Sequence, residues 1–135
     1  MLSILLIEDD ADQRRLYHDV LLDAGFQVLE AASGVEAMQA FKRTKPDLVV
    51  LDIQMPGMDG IEALGKLLAQ DRTVPVILYT AYPAFKQNFM TWTADAFLEK
   101  SGDPAELIAE VRKLAAERGL SLPDPVKTVD EKKNP

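Results

Sequence analysis

Acidic, hydroxyl and ammonium side chains stand at or near the ends of short aliphatic runs in this sequence. They are Glu8, Asp9 and Asp10 after the first run, Asp52 after the third, Thr80 after the fourth and Lys100 after the fifth. Two carboxylates about 4 Å apart repel by roughly 4 kcal/mol at an effective dielectric of 20. A cluster of such acids therefore needs a cation, and carboxylate oxygens are the ligands that hard divalent ions prefer.

A divalent cation in this cluster leaves room for a phosphate group, because Mg²⁺ uses few protein carboxylates and keeps several waters. Lys100 would add a second positive charge, and Thr80 a hydroxyl donor. A phosphoryl group bonded to Asp52 would then meet a metal, an ammonium and a hydroxyl together. That combination is the stabilisation that phosphoryl transfer requires.

Composition excludes several other kinds of site. The chain of 135 residues has no cysteine, one histidine and a formal charge of −7. The missing cysteine excludes disulfides and thiol catalysis and fits a reducing, cytoplasmic setting, and one histidine cannot build a structural zinc site. The negative charge argues against direct nucleic-acid binding, and the aliphatic runs are too short for membrane insertion. We expect a cytoplasmic protein that neither inserts into a membrane nor binds nucleic acid directly.

The aliphatic runs alternate with amphipathic stretches. Strands are predicted at Leu2–Ile7, Gln27–Ala31, Leu48–Asp52, Val74–Tyr79 and Ala96–Leu98. Strict alternation of strand and helix predicts an α/β fold, with a doubly wound, five-stranded parallel sheet and helices on both faces. We favour the flavodoxin-like strand order, in which the first and third strands are neighbours, although periodicity alone does not establish it. In that order Asp9 faces Asp52 across the carboxyl edge of the sheet.

The ends of the predicted helices are marked by capping residues. Capping boxes are predicted for the pairs Asp10–Gln13, Ser33–Glu36, Asp59–Glu62 and Asp103–Glu106, with Pro104 as the first helical residue and Gly25 and Gly119 at helix C-termini. Apolar stripes are predicted at Leu16, Val20, Leu21 and Ala24 in the first helix and at Leu107, Ile108, Val111, Leu114 and Ala115 in the last. We expect Asp10 to cap its helix rather than to bind the metal.

Two stretches resemble a known family. The segment from Lys45 to Gly60, KPDLVVLDIQMPGMDG, is similar to the phosphoacceptor signature of receiver domains of two-component response regulators. The segment from Ile4 to Asp10, ILLIEDD, is similar to their opening acidic cluster, and Thr80 with Lys100 completes their pocket. The resemblance implies a stand-alone receiver domain over residues 1–119. Residues 120–135 have no apolar period and are predicted to form a disordered tail.

The resemblance also implies roles for the pocket residues. Asp52 is the nucleophile that becomes the aspartyl phosphate. Mg²⁺ is held directly by Asp9, through water by Glu8, and by the backbone carbonyl of Gln54. The phosphoryl donor is a phosphohistidine on a sensor histidine kinase or a histidine phosphotransfer protein. The domain acts on no other substrate, promotes its own phosphorylation and dephosphorylation, and signals to a downstream protein.

The remaining implied roles concern switching. Thr80 donates to the phosphoryl group, Lys100 pairs with it, and Phe97 occupies the aromatic switch position, where the family more often has tyrosine. Ser101 replaces the proline that usually follows the lysine, and we expect a trans peptide there because a cis bond before a non-proline residue costs about 3 kcal/mol.

Three classes of function compete for this pattern: a phosphoacceptor, a receiver-like binding module and an enzyme on a similar fold. A receiver-like module that binds proteins without phosphorylation is the alternative, but the complete set of Asp9, Asp52, Thr80 and Lys100 favours the phosphoacceptor. A phosphatase of the haloacid-dehalogenase type would need an aspartate where this chain has Gln54. A flavodoxin would need a hydroxyl- and glycine-rich loop where this chain has three acids.

Overall fold

The computed structural model describes residues 2–52, 60–81, 94–100 and 103–120. Within these ranges the strands are β1 (Ser3–Ile7), β2 (Gln27–Ala31), β3 (Leu48–Leu51), β4 (Val76–Thr80) and β5 (Ala96–Glu99). The helices are α1 (Ala11–Asp23), α2 (Gly34–Arg43), α3 (Gly60–Gln70) and α4 (Ala105–Glu117).

All five strands form one parallel sheet in the order β2-β1-β3-β4-β5. This is the predicted order, with β1 and β3 adjacent. Ile7 is level with Leu51, so the residues that follow these two strands emerge side by side. The predicted α/β fold and flavodoxin-like topology are confirmed.

Successive residues of each buried strand face opposite sides of the sheet, which creates two cores. On one face, side chains of the strands pack against α2 and α3; the buried members include Leu5, Val49, Leu78, Phe41 and Leu64. On the other face, they pack against α1 and α4; the buried members include Leu6, Val50, Ile77, Leu21 and Val111. Because both faces are covered, the central strands are continuous aliphatic runs with no polar alternation.

The first strand starts one residue later than predicted, at Ser3, and the fourth starts two residues later. The run from Val74 predicted a strand to Tyr79, but β4 begins at Val76 and continues to Thr80. Pro75 has no N–H to donate to the sheet, so regular pairing begins after it. Asp95 instead accepts the backbone N–H of Val76 at 2.8 Å.

The helix starts follow the predicted caps only in part. Asp10 accepts hydrogen bonds from the N–H groups of Asp12 and Gln13 at 2.9 and 3.0 Å, so its capping role is confirmed. The reciprocal half of that box is wrong, because the side chain of Gln13 bonds Lys100. Pro104 lies one residue before the helix it was predicted to begin.

The remaining caps are closer to expectation. Ser33 Oγ accepts from the N–H of Glu36, whose carboxylate accepts from Ala32 rather than from Ser33. Asp103 accepts from the N–H of Ala105, but the N-cap position of α4 that was predicted for it is occupied by Pro104. The two predicted C-terminal glycines have left-handed φ angles of 100° at Gly25 and 70° at Gly119, which side chains with a Cβ rarely adopt.

The buried face of α1 differs from the predicted stripe. Leu16 was expected in the core but is 50% exposed, whereas Tyr17, the next residue, is 8% exposed. The core face therefore runs through Tyr17 and Leu21, one helical turn apart. In α4, Leu107, Val111, Leu114 and Ala115 of the predicted stripe are buried, and Ile108 is partly buried.

Several predictions concern residues outside the described ranges. They are the metal-binding carbonyl of Gln54, the cap at Asp59, the peptide bond to Ser101 and the tail after Leu120. The receiver boundary at residue 119 also stays a prediction. Among the helices in the described ranges, none is long and apolar enough to cross a bilayer.

A carboxylate and lysine site at the carboxyl edge of the sheet

The strand order brings the predicted site residues to one edge of the sheet. Glu8 and Asp9 follow β1, Asp52 follows β3, and Lys100 follows β5. The N–H of Asp52 donates to Ile7 O at 3.0 Å, and the N–H of Lys100 donates to Thr80 O at 2.7 Å. These bonds continue the parallel pairing one step past each strand and fix where the side chains start.

The acids form the cluster expected of a metal site. One carboxylate oxygen from each of Glu8, Asp9 and Asp52 lies within 4.8 Å of the other two. Glu8 is 2% and Asp52 7% exposed, and Asp9 is intermediate. Buried like charges at this separation repel strongly, and an oxygen-ligated divalent cation relieves that repulsion. The donor set therefore fits Mg²⁺.

Lys100 supplies positive charge to the same cluster. Its Nζ donates to Glu8 Oε1 at 2.6 Å, to Gln13 Oε1 at 2.6 Å and to Asp52 Oδ2 at 3.3 Å. The Lys100 side chain is only 8% exposed, so these contacts are shielded from solvent. The ammonium thus links the loop after β1, the first turn of α1 and the end of β3.

The pKa values of Glu8 and Lys100 are both shifted by their surroundings. Desolvation raises the pKa of Glu8 from 4.5 to about 7, with the charge of Asp52 acting in the same direction and the Lys100 hydrogen bond opposing both. For Lys100, desolvation alone would lower the pKa. The hydrogen bond to Glu8 and the charge of Asp52 outweigh it, so the pKa of the ammonium is raised. Lys100 therefore stays charged, whereas Glu8 gains or loses its proton near neutral pH.

Two tyrosines lie beneath the ammonium. Lys100 Nζ is 5.3 Å from the ring centre of Tyr17 and 5.8 Å from that of Tyr79, within cation–π range. The two rings meet edge to face at 5.0 Å. Burial raises the pKa of Tyr79, so its hydroxyl stays neutral. The two rings therefore add a cation–π attraction to the hydrogen bonds of Lys100.

Arg14 ties the acidic loop to the edge strand. Its Nη1 donates to the carbonyl of Glu8 at 2.9 Å and to that of Asp9 at 3.5 Å. Its Nε donates to Glu30 Oε1 at 3.2 Å. Arg14 thereby links the backbone between β1 and α1 to Glu30 of β2.

The site opens to solvent through a pocket of about 250 Å³. Its lining residues are Glu8, Asp9, Asp10, Gln13, Asp52, Ala81 and Lys100. The structure thus brings four of the predicted site residues together: Glu8, Asp9, Asp52 and Lys100. Thr80 is fully buried at the last position of β4, and Phe97 is partly buried against the core beneath α2 and α3.

Sequence reasoning missed the contribution of α1. Gln13, Tyr17 and Arg14 all contact the site or its backbone, and none was assigned to it. The available signal was spacing, because Gln13, Tyr17 and Leu21 recur every four residues and so share one face of the helix.

Fold and site together define a class of protein. The family model described as the response regulator receiver domain matches residues 4–112. The chain belongs to this family, the receiver domains of two-component response regulators.

Named relatives are consistent with that membership. The chain is 40% identical over 82 residues to the chemotaxis protein CheY of Listeria monocytogenes, covering 60% of this chain and 69% of the relative. It is 40% identical over 80 residues to sporulation initiation phosphotransferase F of Bacillus subtilis, covering 59% and 64%. It is 34% identical over 128 residues to the transcriptional regulatory protein PrrA of Mycobacterium leprae, covering 93% of this chain but 55% of that protein.

Solved structures add evidence on ligands and partners of similar proteins. The response regulator TrrA of Thermotoga maritima, crystallised in complex with Mg(2+)-BeF, has a TM-score of 0.82 and 35% identity, covering 84% of this chain and 99% of that one. A complex of the histidine kinase ThkA with TrrA has a TM-score of 0.79 at the same identity, covering 84% and 98%.

Proposed function

We propose that the protein accepts a phosphoryl group on Asp52 and signals through the resulting change in its contacts with other proteins. The observation that carries the proposal is the convergence of Glu8, Asp9 and Asp52 within 4.8 Å, with Lys100 hydrogen-bonded to two of them. This arrangement concentrates acceptor, metal ligands and counter-charge in one pocket.

Mg²⁺ is the proposed cofactor. Asp9 and Asp52 would bind it directly, Glu8 through water, and the carbonyl of Gln54 would complete the protein ligands. When bound, the ion offsets the charge of the acids and of the incoming phosphoryl oxygens. The raised pKa of Glu8 supports this assignment, since a carboxylate that is costly to ionise alone gains most from a cation.

The chain's own residues then have distinct tasks. A carboxylate oxygen of Asp52 attacks phosphorus, and the P–N bond of the donor phosphohistidine breaks. The electron pair stays on the imidazole nitrogen, which takes up a proton. Lys100 would donate to a phosphoryl oxygen, as its contact with Asp52 Oδ2 already permits, and the Thr80 hydroxyl would donate to another. Phe97 is proposed as the aromatic residue that moves on switching.

The proposed donor is a sensor histidine kinase or a histidine phosphotransfer protein. The complex of a histidine kinase with the similar TrrA supports this choice. The proposal also assigns the protein to the cytoplasm and makes it a signalling acceptor that catalyses only its own phosphorylation and dephosphorylation. Its downstream target would be a protein.

Asp52 phosphorylation can be measured with acetyl phosphate as the donor and intact-protein mass as the readout. We expect a mass gain of one phosphate in Mg²⁺, none in EDTA, none for Asp52→Asn, and a large loss for Asp9→Ala. A gain that persists in EDTA or in Asp52→Asn would refute the assignment. No gain under any condition, with the protein folded, would favour the alternative of a binding module that works without phosphorylation.

A further inference from the structure

The ammonium of Lys100 has three N–H donors, and the structure gives it three acceptors. Two are site carboxylates, Glu8 Oε1 at 2.6 Å and Asp52 Oδ2 at 3.3 Å. The third is the neutral amide oxygen of Gln13, at 2.6 Å. A phosphoryl group on Asp52 needs a donor from Lys100, so at least one of these bonds must be exchanged.

The three acceptors differ in how they respond to such an exchange. Glu8 and Asp52 belong to the acid cluster, so their charge and partners change when a cation or a phosphoryl group arrives. Gln13 lines the pocket but carries no charge and lies outside that cluster. Its bond to Lys100 is therefore the one that can persist through the cycle.

Gln13 is also well placed to hold a flexible side chain. It lies in the first turn of α1, where its own N–H is bonded to the capping carboxylate of Asp10 at 3.0 Å. Tyr17, one turn further along the same face, places its ring 5.3 Å from Lys100 Nζ. The ammonium is thus approached by two side chains from one rigid helix, whereas Lys100 itself reaches the site on a long methylene stem.

We propose that Gln13 is a positioning residue for Lys100. Its Oε1 keeps the ammonium beside Asp52 while the other two N–H groups transfer from carboxylates to the phosphoryl group. The inference rests on the proposed acceptor role of Asp52. It adds to the charged residues of the proposed site a neutral side chain on α1 that anchors the lysine.

The test variant is Gln13→Met, which keeps the length of the side chain and removes its acceptor. Arg15→Met is the matched control, because Arg15 is an exposed residue of the same helix. A hydrogen bond to a charged group is worth roughly tenfold in an equilibrium, so we expect initial phosphorylation from acetyl phosphate to slow about tenfold in Gln13→Met. The control should match the wild type.

A second arm separates positioning of Lys100 from general damage to α1. In the Lys100→Met background, Gln13→Met should cause no further slowing, because the group it positions is gone. An equal slowing in both backgrounds would overturn the inference. So would wild-type rates in Gln13→Met.

A third arm does not depend on phosphorylation. Acylation of lysines by a water-soluble active ester, mapped by peptide mass, should rise several-fold at Lys100 in Gln13→Met when normalised to the exposed Lys113. Unchanged labelling would contradict the positioning role. If the wild type takes no phosphate but the labelling rises, the acceptor function fails while Gln13 still holds Lys100.

Discussion

At the scale of single residues, the site depends on charges that are buried together. The Glu8 side chain is 3% and that of Asp52 10% exposed, and both meet Lys100. Replacing either partner of such a pair leaves an uncompensated charge, which is more destabilising than losing the pair as a whole. Substitutions here therefore change both chemistry and stability, and the two effects need separate measurements.

The raised pKa of Glu8 predicts a specific pH dependence for the metal-free protein. The folded value of about 7 lies above the ordinary 4.5, so the folded state binds the proton more tightly than the unfolded chain. This stabilisation is complete below pH 4.5 and is lost as the pH rises through 7. Glu8→Gln, which resembles the protonated form, removes the dependence.

Denaturant unfolding in EDTA measures this effect. The free energy of unfolding of the wild type minus that of Glu8→Gln should fall by about 2 kcal/mol between about pH 5 and pH 8. Glu117→Gln, at the exposed end of α4, serves as the control and should show no such trend. A difference that stays level or grows with pH would contradict the buried, proton-binding state of Glu8.

At the scale of helices and strands, the sequence was informative where one physical effect dominates. Strands buried on both faces must be aliphatic throughout, so Leu48–Leu51 could be located without a structure. The convergence of Asp9, Asp52 and Lys100 followed from strand ends meeting at one edge, together with a strand order that came partly from the family resemblance and not from periodicity alone. The sequence did not show which face of α1 packs against the sheet. Leu16 and Tyr17 are both large, and only the position of the sheet decides which of them is buried.

Side-chain contacts between different helices and strands could not be predicted from the sequence either. The pattern Asp10–Gln13 is a valid capping box, and only the placement of Lys100 by β5 draws the Gln13 amide away from the helix end. A nearby ammonium is a stronger partner than a backbone N–H. The contact between Gln13 and Lys100, 87 residues apart in sequence, therefore replaces the local hydrogen bond that the capping box predicts.

The cap of α1 gives a prediction that separates structural and metal-binding roles for Asp10. Its Oδ1 accepts two N–H bonds at 2.9 and 3.0 Å, and its carboxylate is not part of the three-acid cluster. Asp10→Ala should therefore lower the free energy of unfolding by about 1 kcal/mol, and Asp10→Ser should recover most of it. Both variants should keep Mg²⁺-dependent phosphorylation. A folded Asp10→Ala protein that no longer responds to Mg²⁺ would identify Asp10 as a ligand instead.

At the scale of the whole molecule, α4 closes one of the two cores. Leu107, Val111 and Leu114 are buried against the face of the sheet that also receives α1. The chain then turns through Gly119, and the N–H of Leu120 bonds Ala115 O at 2.8 Å. Leu120, which also packs against this core, therefore belongs to the folded part, one residue past the predicted boundary at residue 119.

Truncation tests that boundary. A chain ending at Leu120 should keep its free energy of unfolding, within about 0.5 kcal/mol, and its phosphorylation. A chain ending at Asp103 should be unfolded, because each large apolar side chain lost from the core removes about 1.5–3 kcal/mol. A marked loss of stability in the chain ending at Leu120 would show that residues 121–135 belong to the folded unit.

The ion pairs of Lys100 span 92 residues to Glu8 and 48 to Asp52, so the pocket exists only once β1, β3 and β5 are in register. An unfolded chain contains the same aspartate but no surroundings that would make it reactive. Under the proposed function, the initial rate of phosphate uptake from a small donor is therefore proportional to the native fraction, and it can serve as an assay of that fraction in a crude preparation. For a domain stable by about 5 kcal/mol, that fraction stays close to one until most of the stability is lost. The initial phosphorylation rate in a series of core variants should stay level and then fall abruptly as the native state stops being the majority species.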